Sequence, residues 1–443
     1  MHTHMFRCDL RFLGALLLLG CVPAALPASR LAAAPQDSRP GSARLESVLV
    51  TGSMRFTSEQ ISNAIGLRPG ASVDRQDLQG AADKLAALGP FSSVQYRFST
   101  TPTGVKVTYQ VADLPALPVT FDNFPWLTDT ELSAGLKSSG VLFDGGAPLN
   151  GTLLDQMSAV LESLLDAHGV HGRVAHQAVT LLPGNQAVQQ FRVADANLIV
   201  QKVEFSDALA QSNPAVLDRM QDLLGKPYSR SRVELFEFEQ VRPAYLAHAY
   251  LKVQFGQPVA HFASVPANPL SGQLIVSAPI TPGVSYVWAG VEWKGNDSVS
   301  TQDLNKLSDL ISGDPADGNK IQAFWERARA AYAQQGFLDA VMNPVPKFND
   351  VTSRVSYDVA VTEGPQYHMG KLVLTGLSVE GERRLRKAWS VPPGAVFDKS
   401  VYDNFVNGGI KAAFAGLPVH YKIGDFLQRD PQNARVDVLL DFQ

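Results

Sequence analysis

The strongest constraint in this chain of 443 residues is an internal echo at a fixed distance. Leu45-Glu46-Ser47-Val48-Leu49-Val50-Thr51-Gly52 recurs as Lys371-Leu372-Val373-Leu374-Thr375-Gly376, each an alternating apolar run ending in Thr-Gly. Pro69-Gly70-Ala71-Ser72-Val73-Asp74 recurs as Pro393-Gly394-Ala395-Val396-Phe397-Asp398, and both pairs are displaced by 324 positions. Two different motifs that keep one offset mark a repeat architecture. Gly290-Val291-Glu292-Trp293-Lys294-Gly295-Asn296 adds a third copy, with Gly295 standing 81 residues before Gly376, a quarter of the offset. The spacing predicts five units of about 81 residues. The two remaining starts are assigned to Val119-Thr120-Phe121-Asp122-Asn123 and Val200-Gln201-Lys202-Val203-Glu204-Phe205, each about ten residues early. The expected division is 44–113, 114–197, 198–283, 284–366 and 367–443.

Unit one shows what a repeat contains. Thr57 and Gln60 have capping-box spacing ahead of a short helix with Ile61 and Ile65 on one face and Gly66 as its stop. Asp74 then caps a helix striped by Leu78, Ala81, Ala82, Leu85 and Leu88, closed by Gly89-Pro90. Val94, Tyr96 and Phe98 alternate as a second strand; Val105, Val107, Tyr109 and Val111 alternate as a third. The order is strand, helix, helix, strand, strand. Unit four repeats it, with Ser300 and Asp303 capping a first helix that carries Leu304, Leu307 and Ile311, and with Ile321, Phe324, Trp325, Ala328, Ala331 and Tyr332 striping the second. In unit two, Thr128 and Glu131 form another capping box. Pro243 is expected to interrupt the second helix of unit three, and Gly408-Gly409 to weaken that of unit five.

These residues resemble the POTRA (polypeptide-transport-associated) module of the outer-membrane assembly and bacterial surface-antigen families. The resemblance rests on strands ending in Gly or Gly-Asn (Gly52, Gly295-Asn296, Gly376) and on the Pro-Gly-x-x-x-Asp lead-in to the second helix (Asp74, Asp398). It rests also on the Gly-Phe or Gly-Pro-Phe lead-in to strand two and on Val361-x-Glu363. It implies an α+β fold, a tandem array of about five β-α-α-β-β units, each a three-stranded mixed sheet covered by two helices. Five such units resemble the periplasmic arm of BamA-type assembly proteins; those continue into a β-barrel, whereas this sequence stops at Gln443, leaving an expected soluble or lipid-anchored arm.

Location and partners follow from the start of the chain and its charge. Arg7 and Arg11 precede an apolar run of about eleven residues from Phe12 to Val22, too short to span a bilayer and suited to a signal peptide over 1–28, with 29–43 as a linker. Two cleavage readings stand. Leu18-Leu19-Gly20-Cys21 resembles a lipoprotein box with Cys21 as the lipidated residue, while Leu26-Pro27-Ala28 or Ala32-Ala33-Ala34 suits ordinary signal peptidase. The expected location is the periplasm, attached to the outer membrane if Cys21 is lipidated or if a partner barrel holds the arm. Cys8 and Cys21 are the two cysteines, so nothing beyond them can form a disulfide or a thiolate zinc site. A net charge of −4 offers no basic field to nucleic-acid phosphates.

Candidate chemistry is sparse. His168, His171 and His176 cluster where a helix should end, without a clear carboxylate partner, and read as a polar turn rather than a zinc site. The stretch 313–320 nearly spells a P-loop, but Asn319 separates Gly318 from Lys320 and two aspartates face where phosphate would sit; it reads as a helix connection. No catalytic, cofactor or metal residues are assigned, and no enzyme activity is expected. The POTRA resemblance implies that strand two is an edge, whose unpaired N–H and C=O groups can add a client segment. In unit one that edge is Ser93, Val94, Gln95, Tyr96, Arg97 and Phe98; in unit four, Pro344 and Pro346 blunt it. Trp126, Trp288 and Trp293 read as core or inter-unit packing. The expected function is a non-enzymatic scaffold in outer-membrane protein assembly or transport. Its expected partners are outer-membrane or exported polypeptides and assembly-machine proteins. The competing reading is an envelope or cell-division scaffold that docks partner proteins.

Overall fold

A computed structural model describes residues 42–182, 184–415 and 421–443. Among the described residues, five sheets of three or four strands follow one another along the chain, each built the same way, and a two-stranded sheet, Gln254–Phe255 with Ile280–Thr281, stands apart from them in unit three. An opening strand pairs in parallel with a central strand late in the unit, and the central strand pairs antiparallel with the preceding edge strand. The opening strands are Ala43–Thr51, Leu117–Phe121, Asn197–Phe205, Val287–Lys294 and His368–Thr375. The edge strands are Phe91–Thr101, Val174–Leu181, Val259–Phe262, Val341–Asn349 and Ile423–Asp430. In units one and two a two-residue strand, Ser72–Val73 or Gly146–Ala147, adds a fourth member beside the opening strand.

Local chemistry places the helices. Thr57 accepts from the Gln60 N–H at 3.2 Å while the Gln60 side chain accepts from the Thr57 N–H at 2.8 Å, closing the first capping box; Asp74 with Asp77 and Thr128 with Glu131 close two more. The second helix of unit one, Arg75–Leu88, buries the stripe of Leu78, Ala81, Ala82, Leu85 and Leu88. Each leucine so buried contributes about 1.5–3 kcal/mol. The Pro-Gly motif also finds its reason. Gly70, Gly225, Gly313 and Gly394 all have φ between +71° and +107°, and each donates its N–H to an opening-strand carbonyl: Leu45, Val200, Trp288 and Met369. A Cβ is strained in that region, so the turn that clamps four of the five opening strands calls for glycine.

Pro243 and Gly408-Gly409 do not end their helices. In unit three Arg230–Phe236 continues through a five-residue π turn, Glu237–Val241, into Arg242–Ala247; in unit five the π turn is Phe405–Gly409, followed by Ile410–Ala413. The wider turn closes on i→i−5 bonds, Arg242 N–H to Glu237 O and Ile410 N–H to Phe405 O, so the helix passes the weak point by local widening rather than by stopping. Unit three departs further from its siblings: its first helix is split into Ala208–Ser212 and Pro214–Arg219, and its edge strand has four residues.

The cores are not one per unit. A single apolar cluster runs from Leu45 through Leu88 and Tyr109 into Phe121, Met157 and Phe191, joining units one and two, whereas units three, four and five each have their own.

Candidate functional site

Ser93, Val94, Gln95, Tyr96, Arg97 and Phe98 all lie on the edge strand Phe91–Thr101, which pairs with the central strand Gly104–Asp113 and, among the described residues, has no strand on its other side. Val94 and Tyr96 are half-buried against the helices; Tyr96 tilts against Tyr109 at 5.6 Å, and its hydroxyl donates to Gln79 Oε1 at 3.2 Å. Ser93, Gln95 and Arg97 are exposed, and so is Phe98, 45% accessible although it shares a face with Val94 and Tyr96. The strand is held firmly on one side and open on the other.

Unit four provides an internal control. The register pairs Tyr96 with Tyr109 and Phe98 with Val107 in unit one, and Pro344 with Val359 and Pro346 with Tyr357 in unit four. The opening strands pair Val48 with Val107 and Val291 with Tyr357, each four residues before the closing glycine, so Pro344 stands in the place of Tyr96 and Pro346 in that of Phe98. A proline fits a ladder only where its missing N–H would have faced away from the partner strand. The N–H groups of Tyr96 and Phe98 therefore face outward, where an added strand would need them, and unit four has removed both. Lys347 also reaches across to Asp358 on the unit-four edge.

The other sequence candidates are dispersed. His171 Nδ1 meets Asp166 Oδ1 at 2.7 Å, and His176 Nε2 meets Asp155 Oδ1 at 3.2 Å. The expectation that these histidines have no carboxylate partner is thus corrected: an Asp one turn back in the chain and an Asp on the adjacent helix reach them separately. No group of three His, Cys, Asp or Glu suited to a metal occurs among the described residues. Asp317 accepts from the N–H groups of Asn319 and Lys320, so the glycine-rich stretch is the cap of the helix Gly318–Gln334. Trp288 and Trp293 are buried in unit four, whereas Trp126 donates to Pro269 O at 3.0 Å across to unit three. Cys21 and the signal segment lie outside the described residues; among those described, no helix is long and apolar enough to cross a membrane.

Sequence reasoning missed the joints between units. Gly89 and Gly151 bring the end of one second helix against the start of the next: a Cβ on Gly89 would stand 1.9 Å from Asn150 O, and one on Gly151 2.3 Å from Leu88 O. Arg55 forks onto Asp144 with two bonds of 2.8 Å, which holds the Asp144 carboxyl below its ordinary value. At the second joint, Arg230 Nη1 bonds both carboxylate oxygens of Asp129, at 2.7 and 2.9 Å, and Asp122 Oδ1 accepts from the Ser229 and Ser231 hydroxyls. At the third, Lys252 bonds Asp350 at 2.8 Å and lies 4.4 Å from the Phe348 ring centre. None of these pairs is local in sequence, and no periodicity announces them.

Residues 43–113 and 286–364 match the POTRA family model, described as surface antigen variable number repeat. A curated relative from Treponema pallidum (strain Nichols), provisionally named an outer membrane protein assembly factor, is 22% identical over 175 residues. That match covers 37% of this chain and 20% of the relative, so the chain spans about a fifth of that protein's length. Among solved structures, the Haemophilus influenzae BamA fragment POTRA3-5 is similar at 17% identity, over 56% of this chain and 96% of that one, with a TM-score of 0.41. POTRA1-2 of the periplasmic domain of Omp85 from Anabaena is similar at 24% identity, over 34% and 95%, with a TM-score of 0.18. Residues 43–113 and 286–364 thus belong to the POTRA family, within a chain of α+β fold.

Proposed function

We propose that this POTRA-repeat chain is a non-enzymatic, periplasm-facing scaffold acting in outer-membrane protein assembly, and that the edge of unit one binds clients by adding a strand. The observation that carries the reading is the open side of the strand containing Ser93, Val94, Gln95, Tyr96, Arg97 and Phe98, set against the same edge in unit four with prolines at matched positions. Main-chain hydrogen bonds give affinity that tolerates many side-chain sequences, as a client-holding surface requires. The assembly-factor name of the Treponema pallidum relative and the POTRA matches support the same role. The five-unit division at 44–113, 114–197, 198–283, 284–366 and 367–443 belongs to this proposal, as does lipidation at Cys21.

The test transplants the unit-four device. Phe98→Pro removes one outward N–H without taking a ladder bond, so it should leave the melting temperature nearly unchanged. It should weaken binding of a fluorescent peptide of alternating valine and threonine about tenfold, with the Tyr96 and Phe98 amides of the wild-type chain slowing in hydrogen exchange when peptide is added. Equal binding by wild type and variant, with no protection at those amides, rules out this edge.

A further inference from the structure

The outer side of the opening strand is a second flank of each unit, taken in part by a two-residue strand in units one and two, and in unit five it borders a groove. Beyond Met369, whose N–H and C=O are taken by Ala395 O at 2.8 Å and the Gly394 N–H at 2.7 Å, the strand borders a cavity of about 930 Å³. Its walls include Lys371, Leu372, Leu374, Arg386, Pro393 and Arg435; three cations line it and no carboxylate does. The same place in unit one, beside Arg44, Pro69 and Gly70, holds about 360 Å³.

One position accounts for the contrast. The 324-residue offset sets Glu46 against Gly370, and in both units the ladder to the central strand slips at this point, between Leu45 and Ser47 and between Met369 and Leu372. In unit one the Glu46 side chain lines the smaller cavity, where it accepts from the Thr101 and Thr103 hydroxyls with Lys106 at 3.8 Å. In unit five no side chain can take that place, because a Cβ on Gly370 would stand 1.8 Å from Asp437 Oδ1, which accepts from the Lys371 N–H at 2.7 Å. The groove stays open. Its floor is partly spoken for from within: Arg386 Nη1 donates to Leu372 O at 3.1 Å, which shows that this carbonyl points outward. Leu374, two residues on, has the same parity, so its N–H and C=O face the groove as well.

We infer that this groove is a second docking edge that takes an extended acidic polypeptide segment, added as a strand beside residues 372–374 with its carboxylates against Lys371, Arg386 and Arg435. The inference rests on the client-binding reading above but concerns another edge, another unit and a charge preference. Charge complementarity selects the occupant: a chain with net charge −4 sets Lys371 beside one open strand with Arg386 and Arg435, whose ion pairs to Glu382 and Asp437 an incoming carboxylate would share. The concave shape and outward backbone groups suit a strand better than a flat anionic surface. Arg386, already paired with Glu382 at 2.7 Å, stays in place as a lid on the Leu372 carbonyl until a competing N–H arrives.

The experiment uses the full chain and two labelled peptides, one of alternating valine and glutamate and one of valine and lysine. The glutamate peptide should bind about tenfold tighter, and Lys371→Glu, a change at an exposed side chain, should abolish that preference. The Leu374 amide should slow in hydrogen exchange when the glutamate peptide is added. Protection at Tyr96 and Phe98 with none at Leu374 overturns this inference and leaves the unit-one edge standing; protection at Leu374 alone supports it and removes the unit-one edge. Capture by phosphatidylglycerol vesicles that Lys371→Glu abolishes, without peptide binding, replaces the peptide with a lipid surface. Leu374 protection that rises with protein concentration and no peptide makes the occupant a second copy.

Discussion

The first and second joints of the array solve the same problem with opposite chemistry. Units one and two share one apolar cluster, with two glycines letting helix ends touch and one Arg–Asp fork at the rim. Units two and three keep separate main cores and meet through charge and hydroxyls: Arg230 on Asp129, Ser229 and Ser231 on Asp122, Gln257 on Asp129 at 2.7 Å. Trp126, 5.9 Å from Phe262, and Leu270, packed against the cluster of units one and two, are apolar members of that contact. A shared core resists bending because any motion opens apolar surface, whereas a polar seam can exchange its bonds for water at small net cost. The array is therefore stiff at its first joint and adaptable at its second.

Three changes test that contrast, in falling order of effect. Gly89→Val should break the first joint: with φ of +102° and Asn150 O in the way, it costs about 3 kcal/mol or more, read as a lower urea midpoint for units one and two together. Arg230→Met should loosen the second joint by about 2 kcal/mol, since it leaves the partly buried Asp129 with Gln257 alone, while the transition of units one and two stays where it was. The third lies in the helix that begins at this seam. Glu237, 2% exposed on the π turn and without a partner for Oε1, has its pKa pushed up to about 8 by burial, with Glu234 adding repulsion. Because the folded value exceeds the unfolded one, the folded state holds the proton more tightly. The associated stability is fully present below about pH 4.5 and is lost as pH rises through 8. Unit three should weaken by up to about 1.4 kcal/mol per pH unit inside that window, and Glu237→Gln should flatten the slope. A slope unchanged in Glu237→Gln would assign the titration to another group.

What the sequence made legible was whatever is local and periodic. Thr57 with Gln60, the stripe from Leu78 to Leu88 and the alternation from Val105 to Val111 each lie within one element, so their spacing reports their geometry. The edge assignment of Ser93 to Phe98 was legible through the family resemblance, and the structure puts those residues on an edge. Unit three was faint because its signals are broken: Pro214 starts a fresh helix, Pro243 sits just past a π turn, and Val259–Phe262 is too short to show alternation. The joints and the unit-five groove were illegible for a different reason. Arg55 finds Asp144 and Arg230 finds Asp129 across 89 and 101 residues, and the value of Gly370 emerges only when Asp437 is seen beside it.

The shared cluster of the first two units also sets an order of maturation. A chain made from its N-terminus presents Leu45, Leu85 and Leu88 long before Met157 and Phe191 exist to complete the cluster they belong to. Unit one thus waits, with part of its apolar surface uncovered, for about 80 further residues, and the pair then closes as one cooperative body. Units three, four and five each carry their own cluster and can settle as they emerge. The interval of exposure is concentrated at the leading end of the array.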